Sequence, residues 1–195
     1  MSELFLDLKT LSSDGIYDDL YKQLWKQRIL YLNGEIDEST IDYIATPILI
    51  KNIEEQDIPE DKLKPITIWI NSYGGNIDPC LYLIGLIQES RIPIHAKVLS
   101  VAASAALYIT LACKHRTGSK NTVFLLHKGS YSLGGNANEV EDVMDFYKGE
   151  VDDKITELIL KKTKITEDQL KKIRRIETYV LGEKALEMGF IDEIV

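Results

Sequence analysis

Ser104, His127 and the pair Gly74-Gly75 are the residues whose types and positions could do chemistry together. Ser104 ends an apolar run and is enclosed by Ala102, Ala103, Ala105 and Ala106. A hydroxyl at such a helix start meets free backbone N–H groups and the positive end of the helix dipole. His127 closes the apolar run TVFLLH, and Gly74-Gly75 closes the run that begins at ITIWIN. Nucleophilic acyl transfer needs a hydroxyl, an imidazole to take its proton, and backbone donors aimed at the developing oxyanion. The three segments offer one of each. Taken singly, each also has an ordinary structural explanation. Ser104 reads as a helix N-cap packed among alanines, His127 as a core-edge histidine, and the double glycine as a tight turn. His95 and His115, at a strand start and in a polar loop, read as surface residues.

The surrounding pattern says what must position these groups. The first 20 or so residues read as a loosely attached arm, followed by a strand over Trp25 to Leu32 that turns at Asn33-Gly34. Ile41, Ile44, Ala45, Ile48 and Leu49 form a helical stripe. ITIWIN, Ile66 to Asn71, is β-branched and apolar throughout, as expected of a strand covered on both faces. Asp78-Pro79 predicts a helix start, with the acid as N-cap and proline at the first helical position, and that helix runs to about Ser90. A strand over His95 to Ser100, the segment AASAALYITLA, the polar loop KHRTGSKN and the strand TVFLLH repeat the order. Such alternation predicts an α/β fold around a central, largely buried sheet.

From Asn138 the spacing of Val140, Val143, Tyr147, Val151, Ile155, Leu158 and Ile159 predicts one long helix. Thr166 and Gln169 form a capping box, with Ile165 and Leu170 as its staple, so a short helix starts there. The chain closes with TYVL, a short helix over GEKALEM, and FIDEIV. Two charge runs flank this region: Glu139 to Asp153 holds seven acids against one base, and Lys161 to Arg175 seven bases against two acids. Solvated helix faces and dipole complementarity explain them by default, and contact between subunits is the sharper alternative.

At 195 residues, 45% hydrophobic and 28% charged, the chain has the composition of a soluble globular domain, taken as one domain over residues 1–195. The net charge of −8 argues against nucleic acid as a partner. No run approaches a membrane span, and the acids near the N-terminus are unlike a secretory signal, so the expected location is cytoplasmic. Cys80 and Cys113, without CxxC spacing, read as buried small hydrophobes rather than a redox pair or metal site, and no cofactor is expected.

Taken together, the segments resemble the proteolytic subunits of ATP-dependent Clp proteases, the ClpP family. The resemblance covers almost the whole chain. RILYLNGEID resembles the family's strand before its first long helix, INSYGGNI its INSPGG signature, SVAASAA the serine motif GxAASMG, FLLHKG the histidine motif MIHQP, and EKALEMGFIDEIV the closing segment. It implies a ClpP/crotonase-like α/β spiral of repeated strand–strand–helix units with a protruding handle helix, the handle region spanning 129–163. By position, it makes Ser104 the nucleophile, His127 the general base and Glu177 the third triad member, with the N–H groups of Gly75 and Ala105 as the oxyanion hole. The stretch from Gly129 to Asn136, with Gly134 and Gly135, becomes the strand that pairs with substrate backbone. The implied activity is serine endopeptidase cleavage of unfolded polypeptides or short peptides. The implied assembly is a homo-oligomeric heptameric ring or double ring fed by a hexameric Clp ATPase unfoldase.

The departures are specific. Glu177 stands where the family has aspartate, Ile176 replaces an arginine that helps join rings, and Tyr73, Ser100 and Gly129 replace a proline, a glycine and a proline. Asp192 is the nearest alternative acid, at a position that is structural in the family. Pairing with Arg174 or Arg175 on the surface is the ordinary explanation for Glu177. Trp69 falls on the family's unfoldase-docking strand, with simple packing as its alternative reading, while Glu89 falls where another docking aromatic is expected. The rival function is a silent or conditionally active ring subunit, partner to a second paralogue.

Overall fold

In the computed structural model, residues 13–129 and 134–195 are described. The elements follow the order α1 (Ser13–Lys26), β1 (Ile29–Ile36), α2 (Glu38–Glu54), β2 (Ile66–Gly75), α3 (Ile77–Glu89), β3 (Ile94–Ala103), α4 (Ala105–Ala112), β4 (His115–Gly118) and β5 (Val123–Leu126). They continue with α5 (Ala137–Phe146), a π-helical turn (Tyr147–Val151), α6 (Asp152–Lys162), α7 (Glu167–Ile173), β6 (Thr178–Leu181), α8 (Gly182–Met188) and β7 (Glu193–Ile194). Residues 13–20, expected as part of a loose arm, are therefore helical, and Trp25 at the end of α1 packs against the core. Residues 1–12 lie outside the described part. Among the described residues, no helix is long and apolar enough to cross a membrane.

The sheet is parallel in the order β1-β2-β3-β4-β7, and β6 joins it antiparallel through β5. Ten-residue β3 is long enough to serve two neighbours: His95–Val98 pair with β4, and Val101–Ala103 pair with β5. Side chains alternate across a pleated strand, so Ile66, Ile68 and Ile70 enter the core with Leu30, Leu32, Ile94, Ala96 and Val98. Each of the leucine, isoleucine and valine side chains among them stabilises the fold by roughly 1.5–3 kcal/mol relative to exposure. The opposite face is half-buried rather than covered, which corrects the expectation for ITIWIN. Tyr31, Trp69 and Lys97 stand in register there, with the Lys97 ammonium 5.8 Å from the Trp69 ring centroid.

Several boundaries differ from the sequence expectation for identifiable reasons. Asn33-Gly34 is not a turn. β1 continues to Ile36 through a register shift, with Gly34 at φ +99°, a bulge that glycine accommodates without strain. Asp78 is not the N-cap of α3; Asn76 holds that place, so Asp78 and Pro79 lie within the first turn. Thr166 and Gln169 do form a capping box. The "polar loop" KHRTGSKN contains β4, whose buried Arg116 bonds Asp192. Cys80 and Cys113 are free buried thiols, and burial pushes Cys113 up to about 12.

Candidate active site

The site starts from α4, a helix with all eight residues buried. Such a helix cannot shift without disturbing the core, so the residue at its head is held rigidly. That residue, Ser104, has φ +55° and ψ −124°, one of two non-glycine residues with positive φ among those described. A side chain in such a region costs of order 1–3 kcal/mol and persists only where its surroundings enforce it. Here the Ser104 N–H donates to Leu125 O at 3.0 Å, and Ser104 O accepts from Leu107 and Tyr108. Its hydroxyl makes no cap bond to the helix. Ser104 does stand at the N-cap of α4 among buried alanines, as expected, but its backbone is strained and its hydroxyl makes no capping bond, so the side chain is left uncommitted to α4.

The glycines sit against this turn. Gly74, at φ +100°, passes so close that an added Cβ would lie 2.7 Å from Ala103 O and 2.9 Å from Ser104 Cβ. Gly75 faces β1 still more tightly, with an added Cβ running into Ile36 O. The double glycine is thus a close-approach device between two strands and the head of α4, and the tight-turn reading does not hold. Gly75, Ser104, Ala105 and His127 all line one cleft of about 450 Å³. Among the described residues, the first-turn N–H groups of α4 are the ordinary donors such a cleft gains from a helix start.

His127 follows β5, its carbonyl held by the Tyr108 hydroxyl at 3.3 Å. Nε2 is buried and has no hydrogen-bond partner among the described residues. Nδ1 lies 4.0 Å from Glu177 Oε1, a contact of opposite charges when the imidazole is protonated, longer than a hydrogen bond. Glu177 is 60% exposed, and its Oε2 accepts from the Tyr179 hydroxyl at 3.3 Å. The Glu177 charge raises the Tyr179 phenol above its ordinary value. The surface-pair explanation for Glu177 does not hold for Arg174, which bonds Asp152 and Thr156 instead. That contact also joins the acidic and basic runs within one chain.

The rival residues lie elsewhere. Asp192 is committed to Arg116 through its backbone and guanidinium. His95 and His115 pack edge to face on paired strands, away from the cleft lining. Of the stretch Gly129 to Asn136, residues 130–133 lie outside the described part, while Gly134 and Gly135 lead into the N-cap Asn136 of α5. Sequence reasoning missed Asp78, Tyr108, Tyr147 and Asp152 as cleft residues. One signal for Tyr147 was available. Val143, Tyr147, Val151 and Ile155 recur every four residues, slower than an α-helix turns, and a π turn absorbs the excess.

The Clp protease family profile matches residues 12–195, and the chain belongs to that family, whose members are ClpP-type peptidases. It is 25% identical over 186 residues to the ATP-dependent Clp protease proteolytic subunit 2 of Thermobifida fusca (strain YX), spanning 92% of this chain and 86% of that one. Over 183 residues it is 23% identical to the protein of the same name from Rhodococcus jostii (strain RHA1), spanning 93% and 90%. The mixed α/β architecture with its parallel sheet and long helix agrees with the ClpP fold that the motifs implied.

Proposed function

We propose that this chain is a serine endopeptidase that cleaves unfolded polypeptides or short peptides through an acyl-enzyme at Ser104. The observation that carries the reading is the strained Ser104 turn facing the same cleft as a buried His127 Nε2 that has no hydrogen-bond partner among the described residues. Ser104 Oγ attacks the scissile carbonyl carbon, and His127 Nε2 takes its proton. The N–H groups of Gly75 and Ala105 hold the oxyanion. Collapse of the tetrahedral intermediate breaks the C–N bond, and His127 returns the proton to the departing amine. Water then repeats the sequence on the ester and frees Ser104. Glu177 orients the imidazole and stabilises its protonated form. Family membership supports ring assembly and a Clp ATPase partner. Exposed apolar residues on α2, among them Tyr43, Ile50 and Ile53, supply surface for contact with other subunits.

Treating the purified protein with a fluorophosphonate probe and mapping the adduct by mass spectrometry tests the reading. Covalent modification at Ser104 is the expected result; a folded protein that takes up no label argues against it. The 4.0 Å gap at Glu177 favours a second reading, a conditionally active subunit that aligns only in its assembly. Labelling that appears only after a second paralogue or an unfoldase is added would select it.

Glu177→Gln keeps size and removes charge. Because Glu177 is largely exposed, the expected loss in kcat/KM is roughly ten- to a hundredfold, well below that of a buried triad acid. A change under twofold would remove Glu177 from the triad.

A further inference from the structure

The walls of the cleft carry information on which substrate side chain enters it, an inference that rests on the peptidase reading above. Val143, Val151 and Ile155 give it an apolar side. Its acids are Glu38, Asp78 and Asp152, and no lysine or arginine lines it among the described residues. Asp152 is already matched by the Arg174 guanidinium at 2.7 Å. Asp78 is in a different position. It lies in the first turn of α3, and both its carboxylate oxygens accept from the Tyr147 hydroxyl at 2.8 Å. A carboxylate has about four lone-pair sites, so this one donor fixes its direction and leaves acceptor capacity facing the cleft. The bond, with some burial, raises the Tyr147 phenol above its ordinary value, so Tyr147 stays a donor throughout the neutral range.

Tyr147 opens the π turn between α5 and α6, the local widening that brings the ring across to α3. Turns of this kind occur frequently at functional sites. An apolar side leading to an oriented, cation-free carboxylate matches a side chain with a long aliphatic stem and a charged head. A leucine side chain satisfies only the first half of that description. We propose that the cleft selects a lysine or arginine side chain of the substrate, with Asp78 as its charge partner and Tyr147 as the residue that positions Asp78.

The test uses binding, so that it stands apart from catalysis. Two fluorescent peptides, identical except for lysine or norleucine before the scissile bond, are titrated against the intact chain carrying Ser104→Ala, with fluorescence anisotropy as the readout. Norleucine keeps the stem and removes the charge. The lysine peptide is expected to bind at least about fivefold tighter, the upper end of exposed ion pairs, with the advantage shrinking as salt rises. Adding Asp78→Asn is expected to bring the ratio below twofold while norleucine affinity is unchanged. Tyr147→Phe, which keeps the ring, is expected to lower the ratio part of the way, again without moving the norleucine affinity. Equal or tighter binding of the norleucine peptide, a lysine advantage that survives Asp78→Asn, or no binding of the lysine peptide would each overturn the proposal. Failure of probe labelling at Ser104 would instead count against the peptidase reading.

Discussion

Ser104→Ala, His127→Ala and the variant carrying both are expected to fall to one common residual kcat/KM on peptide substrates, roughly 10⁴- to 10⁶-fold below the unmodified protein. The reason is that in the proposed mechanism the two groups act in one step. A serine hydroxyl is a weak nucleophile until a base accepts its proton, and the base has no task without the hydroxyl. Removing either therefore removes the whole step, and removing the second costs nothing further. On the proposed mechanism the residual rate comes from substrate binding and the backbone donors at Gly75 and Ala105, which neither substitution touches. Both variants should fold, since Ser104 makes no cap bond and, among the described residues, His127 Nε2 makes no hydrogen bond whose loss would weaken the chain. Ser104→Ala leaves the positive φ in place, because alanine carries the same Cβ. The measurement is kcat/KM for the three variants beside circular dichroism. If the double variant lost the product of the two single losses, Ser104 and His127 would be acting independently and the acyl-enzyme route would be wrong.

Much of this candidate site was legible in the sequence because it is built from local, one-residue facts. A serine among alanines, a histidine ending an apolar run and a double glycine after a strand are visible without coordinates. What distinguishes the site from its ordinary explanations is not. The strain at Ser104 is a dihedral angle, +55°, and no residue type announces it. The need for Gly74 comes from Ala103 and Ser104, about thirty positions along the chain, and appears only once β2 and β3 lie side by side. Asp78 illustrates a competing principle. An acid before proline is a strong helix-start signal, but Asn76 begins α3 two residues earlier, and the acid is freed to meet Tyr147. The fold was readable where strands are apolar and failed at β4, whose four residues HRTG look like a loop. Pairing on both sides, to β3 and β7, makes it a strand, and its polar centre is paired with a residue 76 positions away.

That polar centre is the largest expected stability effect. Arg116 is buried, and its guanidinium bonds Asp192 with Nε at 3.0 Å, Lys162 O at 2.9 Å and Gly189 O at 3.0 Å. One side chain thereby ties β4, the end of α6 and the segment leading to β7 to one another. Arg116→Met fills similar volume and keeps the backbone N–H on Asp192, but it takes the guanidinium from that carboxylate and strands two carbonyls, and breaking a buried pair from one side is the costly case. Asp192 keeps about a third of its side chain in water, which places the expected loss near the lower end of that range, about 3 kcal/mol at pH 7. Urea denaturation should show a lower midpoint with an unchanged slope. Burial alone would raise the Asp192 carboxyl, but its bonds to Arg116 and the guanidinium charge outweigh that and hold it below its ordinary value. A lowered folded-state value means that the stabilisation is fully present above the ordinary carboxylate pKa of about 4 and is lost as pH falls through the lowered one. The gap between the unmodified chain and Arg116→Met should therefore narrow on acidification. A gap that stayed constant down to a pH at which Asp192 is protonated would assign the loss to the two carbonyls and to packing, and Asp192 would then be a bystander to the tie.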